Sequence, residues 1–541
     1  MPCPDRCRGV SFSARFLPFQ PGYPCDIISV KQKGVSRINR RRIALIICAV
    51  AAYFLLIFLL VQAESGSNGD GGIHSYRDAF WYSLVTLTTV GYGDFSPQSL
   101  GGRLIGAVFL ILSTGILALL FSLAYSLLTG RLFPHFRLWR HRRSKWILFY
   151  PDNEASRALA SHFPEDCVIF CCSDRKDNPS FLFLGDTLEA LLSLPFAPQG
   201  ERLLFAMSED VEQNEHLASS LLSRPVRIYC RGEGLNESLP DNIVRFNQYD
   251  CAARLYWQLK PQSPGGEQIV LLGDGHFARS LLRQGILTAP PECTFELFGD
   301  WHLFNALHTE ISQLPPSILR LHFHSEDWTM SRPVLQSASR IIICSDSETE
   351  NRDLLRLLCQ YYVTKGEFHV RAHPGFQKAF YFGTPDMLFT PELVMRQRQN
   401  MLARSLHDMY RNSVDYPVPT WEELSDFLKR SNLAAADHIL TKVRLLLPEE
   451  NILTLSSETC RKAAEKYETL SPEQREQLRA IEHYRWYTFH ALYNWQYAPV
   501  RNNAARQHPM LVPYEALPEE ERAKDDNAWL QLSTLSSEVN V

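Results

Sequence analysis

Residues Thr88-Thr89-Val90-Gly91-Tyr92-Gly93-Asp94 combine residue types that suit one kind of chemistry, coordination of a dehydrated cation by the main chain. An ion stripped of water needs a ring of oxygens in place of its hydration shell. Four copies of a short extended loop would supply that ring through the carbonyls of Thr89, Val90, Gly91 and Tyr92 and through the Thr89 hydroxyl. Gly91 and Gly93 admit the positive φ values that let consecutive carbonyls point at one axis. Thr88, Asp94 and the preceding Trp81 are the candidate supports of the loop. A glycine-rich turn that spells this run by accident is the bland alternative, and the flanking sequence argues against it.

Two other groups of residues could do chemistry. Gly273, Gly275 and Ala278 form G-x-G-x-x-A after an apolar run. This pattern brings backbone close to a diphosphate and sets it on a helix N-terminus. Asp300 lies about where an acid would bind ribose hydroxyls. Near the C-terminus, His483, Arg485, Trp486, Trp495, Tyr497 and Tyr514 could stack a base and hold a phosphate. The competing reading makes those tryptophans the core of a small helical domain, with Glu482 and Arg485 paired.

Membrane-spanning elements are needed to position the first loop. Ile43–Val61 is nineteen residues without a charge, and Leu104–Leu128 is a second uncharged run. Each is long enough for a hydrocarbon core of roughly 30 Å. Between them, Tyr76–Leu87 reads as a helix ending at the loop, its negative dipole end facing cations. Ser65–Gly72 reads as an exposed turn. Lys31, Lys33, Arg37, Arg40, Arg41 and Arg42 precede the first run, and Arg131, Arg137, Arg140, Arg142, Arg143 and Lys145 follow the second, against Arg77 and Arg103 between them. The positive-inside rule then places both termini in the cytoplasm. The long basic lead and long apolar run exclude a signal peptide. No third span exists and no helix carries arginine at every third position, which excludes an arginine-studded voltage sensor. Gly115 in the second run is a candidate gating hinge or a plain packing glycine.

The bulk numbers add bounds. The chain has 541 residues, a net charge of -4 and 13 cysteines. The length predicts three or four domains, and the charge gives no argument for nucleic acid. The basic clusters sit at membrane edges, where anionic headgroups explain them. The scattered cysteines, Cys171-Cys172 included, read as reduced thiols.

The second half repeats itself. Trp146–Phe149 followed by Ala155–Phe163 matches Ile269–Leu272 followed by Gly273–Ala278 and its helix. Val168–Ser173 before Asp174 matches Phe295–Gly299 before Asp300. Ser208-Glu209 with Asn214 matches Ser345-Asp346 with Asn351, and Arg231 matches Arg371. Alternating strands and helices predict two doubly wound parallel sheets. In the first copy Tyr150-Pro151-Asp152-Asn153-Glu154-Ala155 replaces the glycine loop. Its acids would repel phosphate, so that copy reads as structural or as an assembly element. Further helix is expected at Glu392–Met409 and Leu424–Leu447.

The Thr88–Asp94 run between two spans closely resembles the selectivity filter of two-helix potassium channels. A two-helix pore followed by tandem Rossmann units resembles, over about residues 40–400, channels governed by RCK domains (regulators of potassium conductance). That resemblance implies K+ as permeant ion, a homotetramer in a lipid bilayer and an intrinsic ring of eight Rossmann domains. It also implies a nucleotide ligand such as NAD(H) or another adenine nucleotide, and, less directly, Ca2+ held by acids such as Asp152 and Glu154. Glu482-His483-Tyr484-Arg485-Trp486, Asn494-Trp495-Gln496-Tyr497 and His508–Tyr514 resemble the ryanodine-receptor repeat over about residues 472–532, with Asn494 where that family usually has glycine.

The expected fold is multi-domain. A cytoplasmic segment at 1–42 leads into an α-helical membrane pore at 43–130, with spans 43–63 and 104–128 and the pore helix and filter at 76–94. A basic linker at 131–144 precedes two α/β Rossmann-like domains at 145–262 and 263–400. A helical lobe or linker at 401–471 and a small, mostly α-helical domain at 472–532 complete the chain. The expected function is a ligand-gated potassium channel of the plasma (inner) membrane. The alternatives are a membrane-tethered nucleotide sensor or scaffold of little conductance, and a regulatory subunit of potassium uptake. The acid–base constellation of an enzyme is missing.

Overall fold

The computed structural model describes residues 51–66, 71–88, 90–127, 140, 142–164, 168–170, 182–183, 192, 201–233, 239–240, 242–395, 398–414 and 416–538. The N-terminal segment 1–42, Thr89, Cys171, Cys172 and most of the 131–144 linker lie outside them. The chain divides into two compact units, Met1–Phe133 and Pro134–Val541.

In the first unit residues 51–64 are helical, followed by α1 (Tyr76–Leu87) and α2 (Leu100–Leu127). Ser75 starts α1 through a reciprocal cap. Its hydroxyl accepts from the Asp78 amide at 3.3 Å, and the Asp78 carboxylate accepts from the Ser75 amide at 2.9 Å. Ile57, Leu60, Ile73, Ala79 and Phe109 form a small core. The Glu64 carboxylate accepts from the amides of Gln98 (3.0 Å) and Ser99 (2.8 Å) and from the Ser99 hydroxyl (2.7 Å), tying the first helix to the start of α2. Phe54, Leu55, Leu104, Ile111 and Phe121 are exposed. Among the described residues no helix is long and apolar enough to cross a membrane. The expected first span begins at residue 43, ahead of those residues, and the side chains of 112–120 in α2 also lie outside them.

The second unit contains the two predicted parallel sheets. The first comprises β1 (Trp146–Tyr150), β2 (Val168–Phe170), β3 (Leu182–Phe183), β4 (Arg202–Ala206), β5 (Arg227–Arg231) and β6 (Ile243–Phe246), in the order β3-β2-β1-β4-β5-β6. The second comprises β7 (Gln268–Leu272), β8 (Thr294–Phe298), β9 (Arg320–His324), β10 (Arg340–Ile343), β11 (Glu367–Arg371) and β12 (Phe380–Phe382), in the order β12-β11-β10-β7-β8-β9. The orders are equivalent, and both are the dinucleotide-fold order that opens a crevice where the winding reverses. β1 and β7 are apolar because helices cover both faces of such sheets. Intervening helices include α3 (Glu154–Ala160), α4 (Val211–Ser220), α5 (Gln248–Leu259), α6 (His276–Thr288) and α7 (Glu348–Tyr361).

The duplication extends to single hydrogen bonds. Asn214 accepts from the Ser208 amide (2.8 Å) and donates to the carbonyls of Ser208 (2.8 Å) and Arg231 (2.8 Å). Asn351 accepts from the Ser345 amide (2.9 Å) and donates to the carbonyls of Ser345 (3.0 Å) and Arg371 (2.9 Å). The two units share a core across α5 and α6. Trp257 of α5 donates to the Leu281 carbonyl at 2.9 Å, and a Cβ on Gly285 would meet its ring at 2.7 Å. Glycine is what lets α5 and α6 approach so closely.

The C-terminal helices differ from their expected bounds. Glu392–Met409 is not one helix: Pro391–Val394 is a single turn, and α8 (Met401–Ser413) starts afresh after Asn400. Leu424–Leu447 divides at His438 into α9 (Asp426–Asp437) and α10 (Ile439–Leu446). These pack with α11 (Ser457–Glu468) and α13 (Glu519–Glu538) around Trp421, Tyr467 and Trp529. α12 (Pro472–Leu492) packs Leu478 and Ile481 against this cluster and sends Phe489, Ala491 and Leu492 into the core of the Rossmann units. Arg254 of α5 anchors the lobe. It donates to the Asp437 carboxylate (2.7 and 2.9 Å), the Asn400 side chain (2.7 Å) and the Gln399 carbonyl (2.5 Å).

Candidate functional site: the filter loop and the Rossmann crevice

The loop after α1 is held from both ends. Amides of Val90 and Gly91 donate to the Val85 carbonyl at 3.1 and 3.3 Å. Gly91 and Gly93 take φ of 62° and 73°, a region that disfavours side chains. Trp81 Nε1 donates to Asp94 Oδ2 at 2.7 Å, and the Trp81 and Tyr92 rings are parallel within 2° at 6.2 Å. Thr88 turns its hydroxyl back onto the Leu84 carbonyl at 2.8 Å, so it closes the helix. Thr89 lies outside the described residues. Gly115 lies within α2, and the side chains around it are likewise not described.

In the second Rossmann unit, Gly273, Gly275 and Ala278 form the turn from β7 into α6. Gly273 takes φ of 136°, and a Cβ there would lie 2.7 Å from the Ser345 amide. A crevice of about 470 Å³ opens at the ends of β7, β8 and β10, beside Gly273, Gly299, Trp328 and Ser345. That is the topological switch point where ligands bind in such sheets. The helix end itself carries an internal anion. Asp346 accepts from the amides of His276 (2.9 Å) and Phe277 (3.0 Å), with its carboxylate 2.3 Å from where a Cβ on Gly275 would stand. Asp300 sits just past β8 as expected, but its carboxylate accepts from the His302 amide (3.0 Å), and its own amide donates to Asp274 (2.6 Å). Sequence reasoning did not find Asp346 as a cap, because it is 70 residues beyond the loop it serves.

The replaced loop of the first unit is closed. Asn153 caps α3 through the Ser156 amide (2.9 Å) and donates to the Met207 carbonyl (2.8 Å). Asp152 accepts from Arg157 at 2.7 and 2.8 Å. Glu154 lies 3.5 Å from His373.

The C-terminal group is largely enclosed. His483, Arg485, Trp495 and Tyr514 are buried. His483 Nε2 lies 2.8 Å from the Val512 carbonyl. Trp495 stacks on Phe427 at 5.1 Å, and Tyr497 is exposed apart from them. Arg485 is engaged by Glu482 at 2.7 Å, and Glu482 also lies 2.8 Å from Lys442 and 3.8 Å from His438. Burial pushes the His438 imidazole down to about 3. Burial opposes ionisation of Glu482 too, but the neighbouring Arg485 and Lys442 hold its carboxyl well below the usual range. Arg485 Nη1 is buried without a hydrogen-bond partner among the described residues. Trp486, between His483 and His490, is half-buried. Asn494, the departure from the family glycine, takes φ of 56°, which asparagine tolerates better than most residues. Its side-chain amide donates to the Leu307 carbonyl at 2.9 Å.

Comparisons follow the same division. Residues 43–129 match the family described as "Ion channel", and residues 467–536 match the family described as "RyR domain". The chain is 42% identical over 62 residues to the human potassium voltage-gated channel subfamily KQT member 4, covering 12% of this chain and 9% of that protein. It is 34% identical over 81 residues to human subfamily A member 6, covering 15% of each. The chain thus spans a small fraction of the length of these curated relatives. Among solved structures, a point mutant of GsuK aligns at 15% identity over 66% of this chain and 99% of that one, with a TM-score of 0.33. The GsuK channel bound to NAD aligns at 12% identity over 69% and 86%, also at 0.33; likeness at that level carries no argument about ligands. The resemblance of the pore segment to potassium channels and of the C-terminal segment to the ryanodine-receptor repeat is the one these family matches return.

Proposed function

We propose that the chain is the subunit of a tetrameric, potassium-selective channel whose gate is set by ligands bound to its Rossmann units. The geometry of the Thr88–Asp94 loop carries this reading. Glycines at positive φ alternate with residues whose carbonyls would line an axis, and the Trp81–Asp94 hydrogen bond with the Trp81–Tyr92 stack holds the loop open from behind. Thr89, Val90, Gly91 and Tyr92 would coordinate K+ in place of water. The exposed Leu104, Ile111 and Phe121 suit lipid or neighbouring subunits. The proposal places both termini in the cytoplasm.

The acid-rich crevice at β7, β8 and β10 would take a nucleotide by its uncharged parts first. Trp328 and the carboxylates of Glu326, Asp327 and Glu350 line it, suited to a base and to ribose hydroxyls. A diphosphate would have to displace Asp346 from the α6 amides. That exchange of one anion for another is a natural switch. Moving a gate from 1:99 to 99:1 takes about 5.5 kcal/mol of differential binding. Shared over four subunits this is about 1.4 kcal/mol each, within the ordinary range of allosteric coupling.

Potassium and sodium flux through proteoliposomes tests the reading, with Gly91→Asp as the non-conducting control. Equal passage of Na+ and K+, or no flux above the control, would overturn it.

A further inference from the structure

Away from the glycine loop, a cavity of about 550 Å³ lies where the first Rossmann unit, α6, the helical lobe and the end of α12 meet. It is basic. Seven arginine and lysine side chains line it against three carboxylates, in a chain whose net charge is -4. The carboxylates are already committed. Asp437 is taken by Arg254. Asp250 holds Arg283 closely and Arg430 at 3.5 Å. Glu422 lies 3.4 Å from Arg404. That leaves Lys429, which among the described residues donates to the Glu422 carbonyl at 3.1 Å and to no carboxylate, beside Arg430, which shares Asp250 with Arg283. Phe489, Trp421 and Leu433 give the same cavity an apolar wall.

From this lining we infer a second ligand site, for a phosphate-bearing small molecule with an aromatic or aliphatic body, held by Lys429 and Arg430. Arg245 is paired with Glu215 at 3.0 Å and Arg430 also feels Asp426, so the cation to be matched is Lys429. Neighbouring cations repel one another, and an anion seated beside Lys429 and Arg430 relieves that repulsion. The volume falls in the range of small-molecule sites. Occupant and cavity wall would together bridge α5, α6, α9 and α12. The C-terminal domain would then feel the same ligand as the Rossmann units, and α12 would be coupled to them through a small molecule as well as through packing.

Photo-crosslinking of the full-length, detergent-solubilised protein with an azido-ADP probe, followed by peptide mapping, locates the site without any substitution. Label within residues 421–434 or 489–493 supports the proposal. Label confined to residues 324–354, at the Rossmann crevice, or no saturable label, overturns it. Equilibrium binding of pyrophosphate gives a second measurement. Lys429→Gln is expected to weaken it at least fivefold and Lys429→Arg to restore it, while thermal unfolding of each variant reports on folding. An affinity unchanged within twofold in a folded Lys429→Gln protein counts against the site.

Discussion

Asp346 reaches across 70 residues of chain to accept the backbone amide of His276 at 2.9 Å. The helix end that the glycine loop prepares for a phosphate is therefore occupied by a carboxylate of the protein itself. Asp346→Asn removes the competing charge while keeping an acceptor. ADP affinity at the crevice is expected to rise about two- to fivefold, matching roughly 0.3–1 kcal/mol for a charge at a helix terminus. Unchanged affinity in calorimetric titration would show that Asp346 does not compete.

Trp81→Phe deletes the donor to Asp94 and keeps the ring that stacks on Tyr92. The lost hydrogen bond to a charged acceptor is worth about 1.5–3 kcal/mol. The expected result is reduced K+ flux with a lower K+/Na+ ratio, read in the same liposomes. Wild-type selectivity in this variant would assign the support of the loop elsewhere.

Asn214 and Asn351 make the same three hydrogen bonds in their respective units. Asn351→Ala takes this partner from the Ser345 amide and the Arg371 carbonyl, while Arg371 Nη1 still donates to the Ser345 carbonyl at 3.2 Å. Each buried group left unsatisfied costs about 1–3 kcal/mol. Both alanine variants are expected to lower the unfolding midpoint by similar amounts. A neutral result for either would show that water replaces the side chain there.

Lys442 and Glu482 form a buried pair at 2.8 Å. Lys442→Met strands part of the Glu482 charge, with an expected loss of about 3–5 kcal/mol. Adding Glu482→Gln to that variant should recover part of the loss. If the double variant is no more stable than Lys442→Met, the two charges do not act as a pair.

Asp525 gives a pH dependence. Burial, then the charge of Glu482, pushes its carboxyl up to about 7, against the pull of Arg485 and Lys442 and with Glu521 and His483 nearby. Between about pH 4 and 7 the folded protein holds a proton there that the unfolded chain has released, so this contribution to stability falls as pH rises. His438, held down to about 3 by burial, works in the opposite direction over the same window. The comparison with Asp525→Asn isolates the Asp525 part. Relative to the variant, the wild-type protein should lose denaturant resistance between pH 5 and pH 7, and identical pH slopes for the two would refute the assignment.

Local patterns were readable in the sequence because they repeat within short range. The Tyr76–Leu87 helix, the strand–turn–helix units and the matched Asn214 and Asn351 follow from periodicity and from duplication. Contacts between distant segments were not readable. Nothing near Gly275 announces Asp346, and nothing near Arg485 announces Lys442, since the partner comes from another helix. The aromatic group in and after α12 stayed open to two readings for a related reason. Residue types that bind a base are also the types that fill a core, and Phe427, which decides between the two for Trp495, lies far away in sequence.

The four acceptor atoms gathered around Arg254 all come from residues 399–437. Cutting the chain ahead of them would strand a guanidinium inside α5 and bare the apolar seam beside it. A shortened protein should therefore clump rather than behave as a simpler version of the whole, and the final quarter is as much a floor for the Rossmann pair as an attachment to it.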